Sequence, residues 1–454
     1  MSEKTIAEKI ADFGLGLKFK DLSGDAAHEA KRRVIDSLAC VLGAYGSPPA
    51  RAARAVAPVV KEGLTASVIG SLATTPEHAA FANGVMIRYL DYNDTYLSKE
   101  PAHPSDNIAP ALACAQAARR GGEELLTAIV AAYEVQCRLC DAASLRKRGW
   151  DHVAYGAFSS TLASSMLLGL TGKETIDALG IAGTTSAALR QTRAGELSMW
   201  KGCAFANAAR NAVFASILAR SGITGPSPVF EGEFGFQRLV SGPFDLDLDR
   251  RELSFKIFDT YIKYYPAEYH AQSAIGAAVE LSKEIEDVSR IDAVVVHTFG
   301  ASYEIIGSGA EKWAPKTRET ADHSLPYCVA AALMDGNVTL ETFSEERLDD
   351  KRLLGLVSRV KVVRDAGLDA MYPQAVPNRV EVRLTTGETL VREMIYPRGH
   401  PKNPLTDPEV EEKFRRLGAW YFSDSELSSV LRALWSLEDM SDSGEILRLF
   451  RRGG

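Results

Sequence analysis

Up to about residue 225 the chain repeats apolar side chains at helical spacing and shows no strand-like alternation. Ile6, Ile10, Phe13 and Leu17 open the pattern. Val34, Ile35, Leu38, Ala39 and Leu42 continue it behind a Ser23 or Asp25 cap, and Gly43, Gly46, Pro48 and Pro49 predict its stop. Further helices are predicted over 50–60, 75–90, 123–145, 158–170, 173–188 and 202–220, with Leu126, Ile129, Val130, Tyr133 and Cys137 on the buried side of the third. Alanine and glycine crowd these segments. Small side chains let helices approach closely, so the first half is expected to be an all-α core.

The pattern then changes. Residues 226–249, rich in Gly, Pro, Phe and Asp, read as a linker or packed loop. A helix is predicted over 267–284 and a β-branched strand at Ile291–His297. A helix over 322–334 stops at Gly336, a strand follows at 357–363, and a hairpin turns at Gly387 between 380–384 and 389–394. Asp407 and Phe422 open two last helical segments. The expected fold class is therefore mainly α with a second α/β domain. A large all-helical domain would be built from both chain ends (1–264 and 401–454), with a smaller α+β lid domain over 265–400. A length of 454 residues exceeds one ordinary core and fits that division.

The net charge of −7 argues against a general nucleic-acid binder, which shows a basic face, but leaves room for a small anion held by local cations. No apolar run approaches the roughly 18 to 20 residues of a membrane span. Met1-Ser-Glu-Lys-Thr-Ile6 lacks the apolar stretch of a signal peptide. Six cysteines in so long a chain make no disulfide framework, which points to a reducing, cytoplasmic compartment. Cys137 and Cys140 form one Cys-x-x-Cys inside a helical pattern, with no second pair; packing explains it better than metal or redox chemistry.

Chemistry concentrates in Leu90–Asn107, which holds Asp91, Asp94, Thr95, Lys99, His103 and Ser105, with Pro101 and Pro104 around the histidine. An apolar helix follows, and Asp106 or Asn107 can cap it. The stretch is thus either a polar surface loop with caps or a loop feeding a helix N-terminus, where backbone N–H groups favour an anion. Of the eight histidines, His103, His152, His270 and His323 stand beside ionisable or turn-forming residues, whereas His28 and His78 sit on ordinary helix patterns. Lys201 and Lys263 lie among apolar and aromatic residues; such a lysine either snorkels to water or meets an anion. Glycine-rich nucleotide loops, His-Glu-x-x-His and Gly-x-Ser-x-Gly are missing from the sequence. What remains is acid–base chemistry by Asp, His, Lys and Tyr on a small polyanion.

Six ordered motifs resemble those of the MmgE/PrpD family: Asp91-Tyr-Asn-Asp-Thr95, His103-Pro-Ser105, Arg148-Gly-Trp-Asp-His152, Trp200-Lys201 before Ala206-Asn-Ala-Ala-Arg210, Lys263-Tyr-Tyr-Pro-Ala-Glu268, and Thr317-Arg-Glu-Thr-Ala-Asp-His-Ser-Leu-Pro-Tyr327. That family includes 2-methylcitrate dehydratase, cis-aconitate decarboxylase and iminodisuccinate epimerase. The resemblance implies a homodimer with its site in a cleft between the two domains, working without metal or organic cofactor on a small tricarboxylate. It implies His103 and His152 as proton-transfer groups, Asp91 beside them, and Lys201 and Lys263 as clamps on substrate carboxylates. Thr95 and Ser105 belong to the same motifs as substrate-binding candidates, and His323 and Tyr327 match a motif near the cleft. Glu268 stands where decarboxylase members carry a histidine, which is more similar to the dehydratase branch. The expected reaction is loss of water from 2-methylcitrate, possible also with citrate. Decarboxylation or epimerisation at the same site is the rival, and a non-catalytic tricarboxylate binder is the alternative from another class.

Overall fold

A computed structural model describes residues 4–71, 73–249 and 254–451. The described residues are mostly helical, with two small sheets. Among the described residues nine α-helices occupy the first half: α1 (Ile6–Gly16), α2 (Gly24–Ala44), α3 (Pro48–Val56), α4 (Pro76–Arg88), α5 (Ile108–Ala117), α6 (Gly122–Ala142), α7 (Val153–Leu168), α8 (Gly172–Thr185) and α9 (Ala204–Arg220). Serine and threonine start several of them. Thr5, Ser23 and Thr171 accept N–H groups of the first turn, and Glu8 and Glu174 return the bond at α1 and α8.

Two local expectations fail for physical reasons. Pro48 and Pro49 do not merely follow the end of α2; they begin α3 behind Ser47, because proline lacks an N–H that the first turn would leave unpaired anyway. A two-residue antiparallel pair, β1 (Ala66–Ser67) with β2 (Ala73–Thr74), also precedes residue 225, too short to leave an alternating pattern.

Small residues set the helix spacing. A Cβ on Gly84 of α4 would lie 3.0 Å from the Cβ of Ala206 in α9, and one on Gly156 of α7 would lie 2.2 Å from the Phe205 ring. The three helices α4, α7 and α9 therefore pack at nearly backbone distance, and the loops at their ends converge.

The second half carries α10 (Gln272–Ser282) and a four-stranded sheet, β3 (Ile291–Thr298), β4 (Val360–Arg364), β5 (Asn378–Leu384) and β6 (Thr389–Met394), in the order β4-β3-β5-β6. The β3–β4 pair is parallel, and the other two pairs are antiparallel. Val294 and Val296 face Val360 and Val362 on one side and Val382 and Val380 on the other. All six are buried against α10 and the helix Leu325–Asp335, while Val295, His297, Lys361 and Glu381 take the opposite face.

Apolar residues gather in separate clusters. One runs from Ala30 to Ile262 and resumes from Leu405 to Phe450; another spans Tyr265 to Val382. The late return is tight. A Cβ on Gly122 would lie 1.6 Å from the Leu437 carbonyl oxygen, so only glycine lets the segment 437–440 dock on the start of α6. Cys137 and Cys140 are buried in α6 without a disulfide. Among the described residues no helix is long and apolar enough to cross a membrane.

Candidate active site

The chain leaves α4 through Asp91, whose φ of 51° is rare for a residue with a side chain. That turn aims its carboxylate back under the helix. Arg88, three residues earlier, donates to Oδ1. Lys263 donates to the Asp91 carbonyl at 2.7 Å and to Oδ2 at 3.0 Å. The Lys201 ammonium lies 3.6 Å from Oδ1 and 3.8 Å from Asp322, and His323 Nε2 is 3.9 Å from Oδ2. All of these groups are buried or nearly so. Burial alone would raise the Asp91 pKa, but Arg88, Lys201 and Lys263 outweigh it and hold the carboxyl well below the usual range.

Backbone pairings deliver these groups. Thr95 and Tyr261 exchange N–H···O bonds of 2.9 and 2.8 Å, which brings the loop after Asp91 beside Lys263. Tyr96 and Ala102 pair likewise and close the intervening loop just before His103. Lys201 sits in the turn Met199–Gly202 ahead of α9, where Gly202 packs on Tyr89. From the second half, Arg318 donates to the carbonyls of Tyr89 and Leu90 at 3.1 Å each, which fixes His323 over the site.

The two histidines differ. Nδ1 of His103 lies 2.7 Å from the Asp94 carbonyl oxygen and must carry the proton; Nε2 accepts from Arg88 at 2.8 Å. His103 is thus a neutral tautomer with both nitrogens engaged, and burial, then Arg88 and Lys263, keep its pKa well below 6.5. Nδ1 of His152 lies 3.0 Å from Asp151, whose carboxylate is held ionised chiefly by Arg193, while Nε2 has no hydrogen-bond partner among the described residues. Burial and then Arg193 lower His152 to about 4. The rings are 5.8 Å apart.

These side chains share one cavity of about 580 Å³, within the range of small-molecule sites. Asp91, Thr95, His103, His152, Lys201, Lys263 and His323 all line it. Thr95 contributes Oγ1 at 3.1 Å from His103 Nδ1. Two expected residues do not line it. Ser105 is buried beneath the loop, its hydroxyl accepting from Asn93. Tyr327 is buried in the apolar cluster of the second half, and its hydroxyl donates to the Thr342 carbonyl, because the helix Leu325–Asp335 turns that face toward the sheet. Nor do Asp106 or Asn107 cap α5 through their side chains. A 3-10 turn, Pro104–Asn107, enters the helix instead, and the Ser105 N–H is taken by the chain's own anion, Asp94. The expected clamps also differ in setting, since Lys201 and Lys263 already face Asp91.

Asp91, Asp322 and His323 form the one metal-sized ligand group among the described residues. The Lys201 ammonium occupies the position a cation would take between the two carboxylates.

The architecture has known counterparts. The pattern of the MmgE/PrpD N-terminal domain matches residues 8–249, and that of the MmgE/PrpD C-terminal domain matches residues 265–437. The chain belongs to the MmgE/PrpD family. Among MmgE/PrpD relatives, the 2-methylcitrate dehydratase of Cupriavidus necator is 30% identical over 446 residues, covering 92% of this chain and 90% of the relative. The 2-methylcitrate dehydratase of Escherichia coli K12 is 28% identical over 86% of this chain and 85% of its own. A cis-aconitate decarboxylase-like protein of Aspergillus oryzae is 27% identical over 98% and 97%.

Sequence reasoning left out Arg88, which joins Asp91 to His103; its signal was an arginine three residues before an aspartate across a helix end. It also gave Glu268 no chemical role. Glu268 lines the cavity, and His270 Nδ1 lies 2.7 Å from its Oε1. Burial raises the Glu268 pKa, but His270 prevails and brings it to about 2. Asp151, which backs His152, was visible only as part of a motif.

Proposed function

We propose that this MmgE/PrpD protein is a hydro-lyase that removes water from 2-methylcitrate to give 2-methyl-cis-aconitate. The observation that carries this reading is His152: a buried imidazole backed by Asp151, with a free Nε2 lone pair, in a cavity that also holds a lysine of lowered pKa. The names of the two bacterial relatives support the substrate.

In this mechanism His152 Nε2 takes the proton from the carbon next to a carboxylate. The C–H electron pair becomes the new double bond, and the C–O bond breaks as the leaving hydroxyl receives a proton from Lys201, so that water departs. Burial lowers Lys201 to about 8, which makes it a better acid than an ordinary lysine while it stays mostly protonated at neutral pH. Negative charge growing on the substrate carboxylate faces the ammonium and guanidinium groups around Asp91, which need no reorganisation. His103, fixed between Arg88 and Asp94, orients this array rather than accepting the proton.

His152→Gln keeps a polar side chain and removes the base; turnover should fall by about a hundredfold or more. Near-wild-type turnover would end this assignment. Chromatography of products from 2-methylcitrate, citrate, cis-aconitate and iminodisuccinate tests the reaction itself. Loss of carbon dioxide from cis-aconitate would favour decarboxylation, the reading supported by the Aspergillus relative. Binding without turnover of any of the four would mark a non-catalytic binder.

A further inference from the structure

Apart from Lys312, which lies 4.0 Å from Glu311, the positive groups of the cavity fall into two sets. The inner set is paired: Arg88 and Lys263 meet Asp91, and Lys201 lies between Asp91 and Asp322. The outer set comes from two short 3-10 turns, Arg146–Arg148 and Arg190–Arg193. A local backbone pairing joins them. Trp150 bridges Leu189, the Arg190 N–H donates to the Gly149 carbonyl at 3.0 Å, and the Asp151 N–H donates to the Ala188 carbonyl at 2.8 Å.

Arg193 of this set pairs with Asp151 at 2.9 Å. Arg146, Lys147 and Arg190 all line the cavity, yet among the described residues none of the three side chains has an ion-pair partner. The nearby Glu100 forms no ion pair with either arginine: its Oε2 accepts from the Ser144 hydroxyl and the Arg146 backbone N–H, and its Oε1 is buried without a hydrogen-bond partner among the described residues. Burial and then Arg193 depress the Arg190 pKa, against the opposing pull of Asp151 and Glu100. A cavity whose inner cations all face a carboxylate, while adjacent guanidinium groups have no ion-pair partner, leaves that outer place for a ligand's charge.

We propose that Arg146 and Arg190, with Lys147 at the rim, form a carboxylate subsite that holds the far end of a polycarboxylic acid while its reacting carbon sits between His152 and Lys201. The identity of the acid rests on the dehydratase reading; the subsite itself requires only a carboxylate. Because the two turns are zipped to Asp151, a carboxylate held there is fixed relative to the His152 dyad.

The test uses tricarballylate, a tricarboxylate with no hydroxyl to lose, titrated calorimetrically into the full chain at low salt. Arg190→Met and Arg146→Met should each weaken binding by about ten- to a hundredfold, as expected for a lost charge-assisted hydrogen bond, and Arg190→Lys should recover part of it. Both side chains are only half-buried, so the variants should keep the wild-type melting temperature. With 2-methylcitrate the defect should appear in KM, and the alkaline limb of the pH profile should not move. Unchanged tricarballylate affinity in both variants overturns the subsite, even if the wild type dehydrates 2-methylcitrate. Arginine-dependent binding by a wild type that turns over no tricarboxylate would sustain the subsite and remove the dehydratase. No binding by the wild type overturns both.

Discussion

Asp91 combines an uncommon backbone angle with three cationic neighbours. Asparagine tolerates the left-handed region, so Asp91→Asn should keep the turn while leaving Arg88, Lys201 and Lys263 facing one another. Breaking such a buried arrangement costs about 3–5 kcal/mol, readable by denaturant unfolding. A fall of less than 1 kcal/mol would mean that solvent already reaches the cluster. The ionisable groups also set pH dependence. His152 must be neutral to accept a proton, so kcat/KM should drop as pH falls toward about 4; Lys201 must be protonated, so it should drop again as pH rises through about 8. Substituting Lys201→Arg should remove the alkaline limb near 8. For stability the sign follows from His152 titrating lower in the folded protein than in the unfolded chain. Its contribution is present above about pH 6.5 and is lost as pH falls toward 4, so the melting temperature should decline over that window. The sequence exposed much at this scale. His103, His152, Lys201 and Lys263 stood out because such side chains are costly among apolar and aromatic neighbours. Arg146 and Arg190 did not, because an arginine in a polar turn looks the same whether it faces water or a ligand.

Elements position these residues in ways that periodicity reveals unevenly. The helices α2, α6 and α9 were legible from their apolar spacing, and β3 and the β5–β6 hairpin from their β-branched runs. Pro48 and Pro49 were read only as following a stop, since the same residues serve the end of one helix and the start of the next. Ser105 and Tyr327 were misplaced because a motif fixes sequence neighbours, whereas the face a helix presents depends on what it packs against. The helix Asp407–Gly418 shows what linear reading misses. Its Lys413 donates to the carbonyls of Tyr92 at 2.8 Å and Lys263 at 3.1 Å and pairs with Asp36 at 2.6 Å. Arg416, one turn on, donates to the Tyr92 hydroxyl at 2.7 Å, which itself donates to the Tyr264 carbonyl. This helix therefore grips the residues directly after Asp91 and Lys263. Arg416 is largely exposed, so Arg416→Met should fold normally yet reduce turnover severalfold. Tyr92→Phe should add little to it, because both changes release the same contact. Fully additive effects would show that the contact does not couple to the site.

Over the whole molecule, the broad division between a helical cluster and a second cluster around a sheet follows from where the chain stops repeating every three to four residues and begins alternating. What no window of sequence shows is that Val410, Phe414, Leu427, Val430 and Leu434 finish the core begun by Val34, Ile35 and Leu38. A chain stopped at residue 404 should lose this packing and leave Asp36 buried without its ammonium; circular dichroism should find it largely unfolded. Lys413 carries a consequence in time as well. Loops around residues 92 and 263 leave the ribosome long before the lysine that ties them together does. Nascent chains short of it hold every acid, base and arginine of the cavity, yet lack the brace between them, so chemical competence should arise abruptly once residue 413 has emerged, rather than growing with each added helix.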